Sequence, residues 1–139
     1  MKWLMSSLLM FLLYSCVAQK NNLEKINVSY FYSNQTKLDS LKNEVTLYFE
    51  TGFKDSLQIY YCDETILVDL FETDFSTSYT GKSVTISFQE PECRHITIEL
   101  LNNSSKVNIE IKRGYRVIEL SKSSSNWGAV YSNHSPVFE

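Results

Sequence analysis

Two cysteines, Cys62 and Cys93, are the residues whose pairing would give this chain a covalent cross-link. If consecutive strands run up and down, the strand that ends at Cys62 and the loop that holds Cys93 lie at the same end of the domain. An exported chain folds in an oxidising compartment, where thiols form disulfides. A bridge requires Cα atoms within about 7 Å of each other. The sequence therefore favours a Cys62–Cys93 disulfide, and the alternative is two unpaired thiols on different sheets.

Two histidines, His95 and His134, extend this set toward metal or acid–base chemistry. With the two cysteines they would offer four zinc ligands, but Cys93-x-His95 is not a standard zinc spacing and oxidation competes for the thiols. The sequence contains no nucleophilic Ser framed by Gly, no HExxH pair and no Gly-rich phosphate loop. We therefore predict no enzyme activity, no metal and no cofactor. The alternative is a hydrolase whose dispersed catalytic residues only geometry would reveal.

An acidic segment, residues 69–75, offers a second possible cation site. Asp69, Glu72 and Asp74 carry the oxygen ligands that calcium prefers. Their spacing does not match an EF-hand loop, which needs more ligands and a glycine. We expect a solvated strand end instead, with Phe71 and Phe75 packing inward.

Large aromatic residues occupy both faces of two segments, 29–32 and 58–61. A sandwich strand buries only one face, so Tyr60 and Phe31 are predicted to face outward. Outward rings form a binding surface for a protein partner, or stack on a sugar. The alternative is an outward ring covered by a neighbouring loop, or simple β propensity.

The first residues have the three parts of a secretory signal. Lys2 supplies a positive charge, residues 4–13 form an apolar run interrupted only by two serines, and the small residues Ser15 and Ala18 follow. The run is shorter than the roughly 20 residues that span a bilayer.

Two cleavage sites fit this signal. The segment LYSC, residues 13–16, places Leu13 and Ser15 before Cys16 as a lipobox does, although Tyr14 is bulky for its position. This short region resembles bacterial lipoprotein precursors, and the resemblance implies cleavage before Cys16 and a lipid on that cysteine. The second site follows Ala18 and leaves Gln19 as the first residue of a secreted protein.

Length and charge bound the remainder of the chain. Of the 139 residues, 1–18 are the predicted signal peptide and 19–139 are enough for one domain with one core. Without Lys2, twelve basic and sixteen acidic residues remain, a formal charge of −4, and they are scattered. Nucleic acid and anionic lipid surfaces are therefore poor partners. Membrane attachment is expected only through a lipid anchor.

Alternation of apolar and polar residues with a period of two recurs from residue 26 onward, and this pattern predicts half-buried strands. Nine segments show it: 26–32, 45–49, 57–61, 66–70, 84–88, 96–100, 107–111, 116–120 and 127–131. Short strands at this spacing predict an all-β fold, an antiparallel sandwich of about seven to nine strands, immunoglobulin-like or transthyretin-like.

Two hairpins follow from the parity of the apolar residues. A turn at Arg113-Gly114 would place Ile109 opposite Ile118, because Gly114 tolerates the positive φ of a tight turn. A turn at Asp63-Glu64 would place Ile59 opposite Val68, with residues 66, 68 and 70 on the core side.

Together these features predict a small exported envelope protein, a non-enzymatic module that binds another protein. A carbohydrate-binding accessory protein that uses the exposed aromatic rings is the alternative binding function. The predicted location is the bacterial outer membrane or cell envelope as a lipoprotein, or the periplasm or exterior as a free protein.

Overall fold

Nine β-strands follow one another in the computed structural model, which describes residues 26–33, 43–88 and 93–138. Each strand overlaps one of the nine alternating segments, so the prediction of an all-β sandwich is confirmed. The strands are β1 Asn27–Tyr32, β2 Glu44–Phe49, β3 Lys54–Tyr61, β4 Glu64–Glu72, β5 Ser83–Ser87, β6 His95–Leu100, β7 Ser105–Glu110, β8 Val117–Ser123 and β9 Asn126–Ser132.

The strands form two sheets packed face to face. The five-stranded sheet has the order β1-β9-β8-β2-β5, and the four-stranded sheet has the order β4-β3-β6-β7. Most neighbours are antiparallel, but β1 runs parallel to β9 and β2 runs parallel to β8. Tyr131 on β9 donates a hydrogen bond to the carbonyl of Glu110, and Lys82 reaches Asp69 on β4. These contacts place β9 over β7 and the β5 side over β4.

The predicted hairpin between β7 and β8 is wrong. β7 pairs with β6 in one sheet, whereas β8 pairs with β2 and β9 in the other. Ile109 and Ile118 are both fully buried, as the alternation of apolar and polar residues in their strands predicts. Two strands that face each other across a core bury alternate residues in the same way as two paired strands, so parity alone does not separate the arrangements.

The strand order differs from one of the two sandwich arrangements predicted. An immunoglobulin domain places its first, second, fifth and fourth strands in one sheet. Here the sheets are β5-β2-β8-β9 with β1 added beside β9, and β4-β3-β6-β7, so the immunoglobulin order is not present.

A single apolar core fills the space between the sheets, and aromatic rings occupy its centre. Phe49 lies 4.4 Å from Phe71 between ring centroids, and Phe53 packs edge-on against Trp127 at 5.3 Å. All four rings are buried. Because the Phe49–Phe71 contact joins β2 of one sheet to β4 of the other, this cluster helps fix how the sheets stack.

Candidate functional site: the exposed edge strand β4

Three large apolar side chains lie in a row on the solvent side of β4. The exposed fractions of Ile66, Val68 and Leu70 are 39%, 54% and 51%. β4 is also the end strand of its sheet, and none of the described strands pairs with its second edge. We refer to Ile66, Val68 and Leu70 with this unpaired edge as the β4 surface.

A one-residue bulge turns these side chains outward. The hairpin between β3 and β4 is confirmed, but its turn is Cys62-Asp63, both with positive φ, and Tyr61 pairs with Glu64. The register then shifts between Ile59 and Tyr60, so that Ile59 pairs with Leu67. A slip of one residue moves a whole strand to the opposite face. The prediction that residues 66, 68 and 70 face the core is therefore wrong, and Leu67 and Phe71 face it instead.

An ion pair occupies one end of the free edge. Lys82 Nζ lies 2.5 Å from Asp69 Oδ2 and donates a second hydrogen bond to the carbonyl of Leu70. Asp69 Oδ1 accepts from the backbone N–H of Leu70 at 2.7 Å. The hydrogen bond from Lys82 lowers the pKa of the Asp69 carboxyl, which remains charged at neutral pH. The backbone groups of Leu70 are thus occupied, and the unpaired part of the edge centres on Val68.

Tyr60 lies on the outer face of the same sheet, in the polar part beside the β4 surface. Its hydroxyl donates to Glu99 Oε2 at 2.7 Å, and Lys106 Nζ sits 5.5 Å above the ring and 3.2 Å from Glu99 Oε2. The hydrogen bond raises the pKa of Tyr60 and lowers the pKa of Glu99. The ring faces outward as predicted, but a lysine covers it, which leaves a poor platform for stacking on a sugar.

Phe31 lies elsewhere on the molecule. It is 57% exposed on β1, at the edge of the five-stranded sheet, while its neighbours Tyr30 and Tyr32 pack toward Tyr131. The outer faces of the two sheets point in opposite directions, so Phe31 and Tyr60 do not form one surface. Both rings face outward, and the structure does not bring them together.

The predicted disulfide is present. Cys62 and Cys93 are bonded with a Cα separation of 5.7 Å, which ties the β3–β4 turn to the residues before β6. The second cysteine prediction, lipidation of Cys16, lies outside the described residues, as does the signal segment. His95 Nδ1 lies 4.0 Å from Cys93 Sγ, and His134 is exposed after β9. Within 26–33, 43–88 and 93–138, no three His, Cys, Asp or Glu side chains are grouped to hold a metal ion.

The acidic segment, which covers the end of β4 and the residues after it, also has a definite structure. Asp69 pairs with Lys82, whereas Asp74 Oδ1 accepts hydrogen bonds from the backbone and hydroxyl of Ser76. Phe71 is buried as predicted, but Phe75 is 93% exposed, so its predicted inward packing is wrong. Phe75 lies in the turn that the Asp74–Tyr79 bridge closes, and its ring projects into solvent.

Comparisons with protein-family models, with characterised proteins and with solved structures find no match to this chain. The described part of the chain also contains no helix of the length and apolarity that would cross a bilayer.

Proposed function

We propose that the protein is a non-enzymatic binding module of the cell envelope, and that an extended segment of a partner protein adds to the free edge of β4. The observation that carries the proposal is the run of Ile66, Val68 and Leu70, each more than a third exposed, on a strand with one unpaired edge.

Strand addition uses both features of the β4 surface. An incoming segment forms backbone hydrogen bonds with the unpaired edge, and its alternate side chains contact the apolar row. Native proteins usually protect such edges with lysine, proline or a bulge, because an open apolar edge invites aggregation. Here Lys82 protects the Leu70 end and the bulge lies toward the β3–β4 turn, so Val68 lies between the two protected parts. An edge left open at Val68 is the arrangement expected of a strand that pairs with a segment of another protein.

The envelope location draws on two features. The Cys62–Cys93 bond is compatible with an oxidising compartment outside the cytoplasm. The lipobox-like LYSC segment supports an anchored form that begins at Cys16, and the site after Ala18 supports a free form that begins at Gln19. In both forms the domain would meet its partner in the envelope or beyond it.

Substitution of Val68 by lysine tests the proposed binding edge. We expect V68K to reduce the recovery of cross-linked envelope proteins by about tenfold, since a charge at the centre of the edge opposes pairing and desolvation. The matched control is S87K, which places the same charge on exposed Ser87 of β5, an edge strand of the other sheet. Cross-linking followed by mass spectrometry of the captured proteins gives the measurement.

The two predicted aromatic positions refine the same test. Y60S alters the face beside the β4 surface, whereas F31S alters the opposite sheet, so only Y60S should weaken capture. If V68K recovers as much cross-linked partner protein as the parent, or if V68K and S87K lose equal amounts of it, the β4 surface is not the binding site.

A further inference from the structure

A polar cavity lies at one end of the sandwich, and its lining includes none of the three apolar residues that carry the proposed function. It has a volume of about 270 Å³ and lies where the start of β3, the β6–β7 turn and the β8–β9 turn meet. Its walls carry two opposite charges, two amides, three hydroxyls and two apolar side chains, contributed by Asp55, Lys122, Asn102, Asn103, Ser105, Ser124, Ser125, Ile26 and Leu100.

The charged pair in this cavity is buried and held in place. Lys122 Nζ lies 2.6 Å from Asp55 Oδ2, and the Asp55 side chain is 6% exposed. Asn102 Nδ2 donates to Asp55 Oδ1 at 3.3 Å, and the backbone N–H of Lys54 donates to Oδ2 at 3.2 Å. Because the two charges cancel, the cavity offers fixed donors and acceptors without a net charge. Such a lining favours a neutral ligand over an anion or a cation.

The hydroxyl of Ser105 is buried in this lining without a hydrogen-bond partner among the described residues. Ser105 is 2% exposed. Its backbone N–H is bonded to Asn103 Oδ1 at 3.0 Å, which fixes the residue at the cavity wall. A buried hydroxyl without a partner is destabilising, and native structures rarely contain one without a reason. A ligand that brings its own hydroxyl groups would satisfy it.

We propose that this cavity binds a neutral polyhydroxylated ligand, a single sugar residue. The size supports a small ligand, since the volume lies just below the range of about 300–1,000 Å³ of pockets for drug-sized molecules. Ring hydroxyls of a sugar both donate and accept, as the serines and asparagines here do. Ile26 and Leu100 provide an apolar wall for its C–H face. No aromatic ring takes part, so this site differs from the stacking surface predicted from the sequence.

The test is a titration of the ¹⁵N-labelled protein with methyl glycosides of glucose, galactose, mannose and N-acetylglucosamine, and with glycerol and sorbitol. We expect amide shifts at Asn102, Asn103 and Ser105 with at least one glycoside. S105A should weaken that binding by about tenfold, the cost of one lost hydrogen bond to a buried ligand. S123A, which removes the exposed hydroxyl of a serine outside the cavity lining, is the control and should bind as the parent does.

Thermal unfolding without ligand separates binding from a purely structural role of Ser105. If the hydroxyl has no partner until a ligand binds, S105A removes an unpaired polar atom. The thermal unfolding midpoint of S105A should then equal or exceed that of the parent protein. A lower midpoint for S105A means that the hydroxyl already has a structural partner such as water, and this overturns the proposal. Absence of shifts at the cavity with every glycoside and both polyols overturns it as well. Neither result bears on the β4 surface.

Discussion

At the scale of single residues, the outer face of the five-stranded sheet contains a pair of carboxyl groups, Glu50 and Glu119. Burial, followed by the hydrogen bond and charge of Glu119, raises the pKa of Glu50 from 4.5 to about 7. The folded state therefore holds a proton on Glu50 at mildly acidic pH that the unfolded chain releases. Stability from this proton is complete below about pH 4.5 and is lost as the pH rises through about 7.

Removal of this carboxyl should flatten the pH dependence of stability. We expect the free energy of unfolding of the parent to fall by about 1 kcal/mol between pH 5 and pH 8 through Glu50, a value discounted for its half-exposed side chain. In E50Q this fall should disappear, because glutamine does not titrate. Urea unfolding at both pH values measures the difference.

The control for this prediction is E44Q, since Glu44 is an exposed carboxylate at the start of β2, the strand that Glu50 directly follows. E44Q should retain the parent's dependence on pH. A parent-like fall in E50Q would show that Glu50 does not titrate in this range.

At the scale of elements, the connection between β2 and β3 carries the chain from one sheet to the other. Gly52 in this turn has φ +85°, and a Cβ added there would overlap the carbonyl oxygen of Lys122. The backbone of Lys122 also bonds to Thr51, so the turn and β8 are held together. Gly81 is the matched position, with φ +71°, and no atom lies within 4 Å of the Cβ that an alanine would add there.

The two glycines separate backbone strain from steric conflict. G81A should destabilise the fold by about 1 kcal/mol, the cost of a left-handed alanine. G52A should cost about 3 kcal/mol or more, because a backbone carbonyl must also move. Equilibrium denaturation of both variants gives the comparison. Equal losses would mean that the approach of Lys122 imposes no constraint.

The elements themselves could be predicted from the sequence, because alternation is a local property of each strand. All nine strands and the existence of the β3–β4 hairpin agree with that pattern, whereas the turn and register of the hairpin do not. The face of β4 could not be predicted, since the bulge at Ile59 and Tyr60 depends on tertiary packing. For the same reason the sequence did not reveal the β4 surface. Asp55 offered a signal for the cavity, because it is a charged residue at an inward position two residues before Leu57.

At the scale of the whole molecule, the disulfide closes a loop that contains strands of both sheets. The segment from Cys62 to Cys93, a sequence separation of 31, includes β4 of one sheet and β5 of the other. β4 pairs only with β3 among the described strands, and the bridge anchors the turn that joins them. The bond therefore constrains the unfolded chain and holds the β4 surface in position in the folded one.

The double variant C62S/C93S should lose about 3–4 kcal/mol of unfolding free energy, as expected for a loop of this length. Both cysteines are replaced together, so that no free thiol cross-links the protein. Guanidinium unfolding measures the free energy of unfolding. Hydrogen exchange in the double variant should accelerate, relative to the parent, more in β4 than in β8, because β8 lies inside its sheet between β9 and β2. The parent protein under reductant is the control and should behave like the double variant. If the double variant keeps both the parent's free energy of unfolding and its exchange rate in β4, pairing with β3 alone holds this edge. The structure of the β4 surface, and binding of a partner to it, would then not depend on the redox state of the compartment.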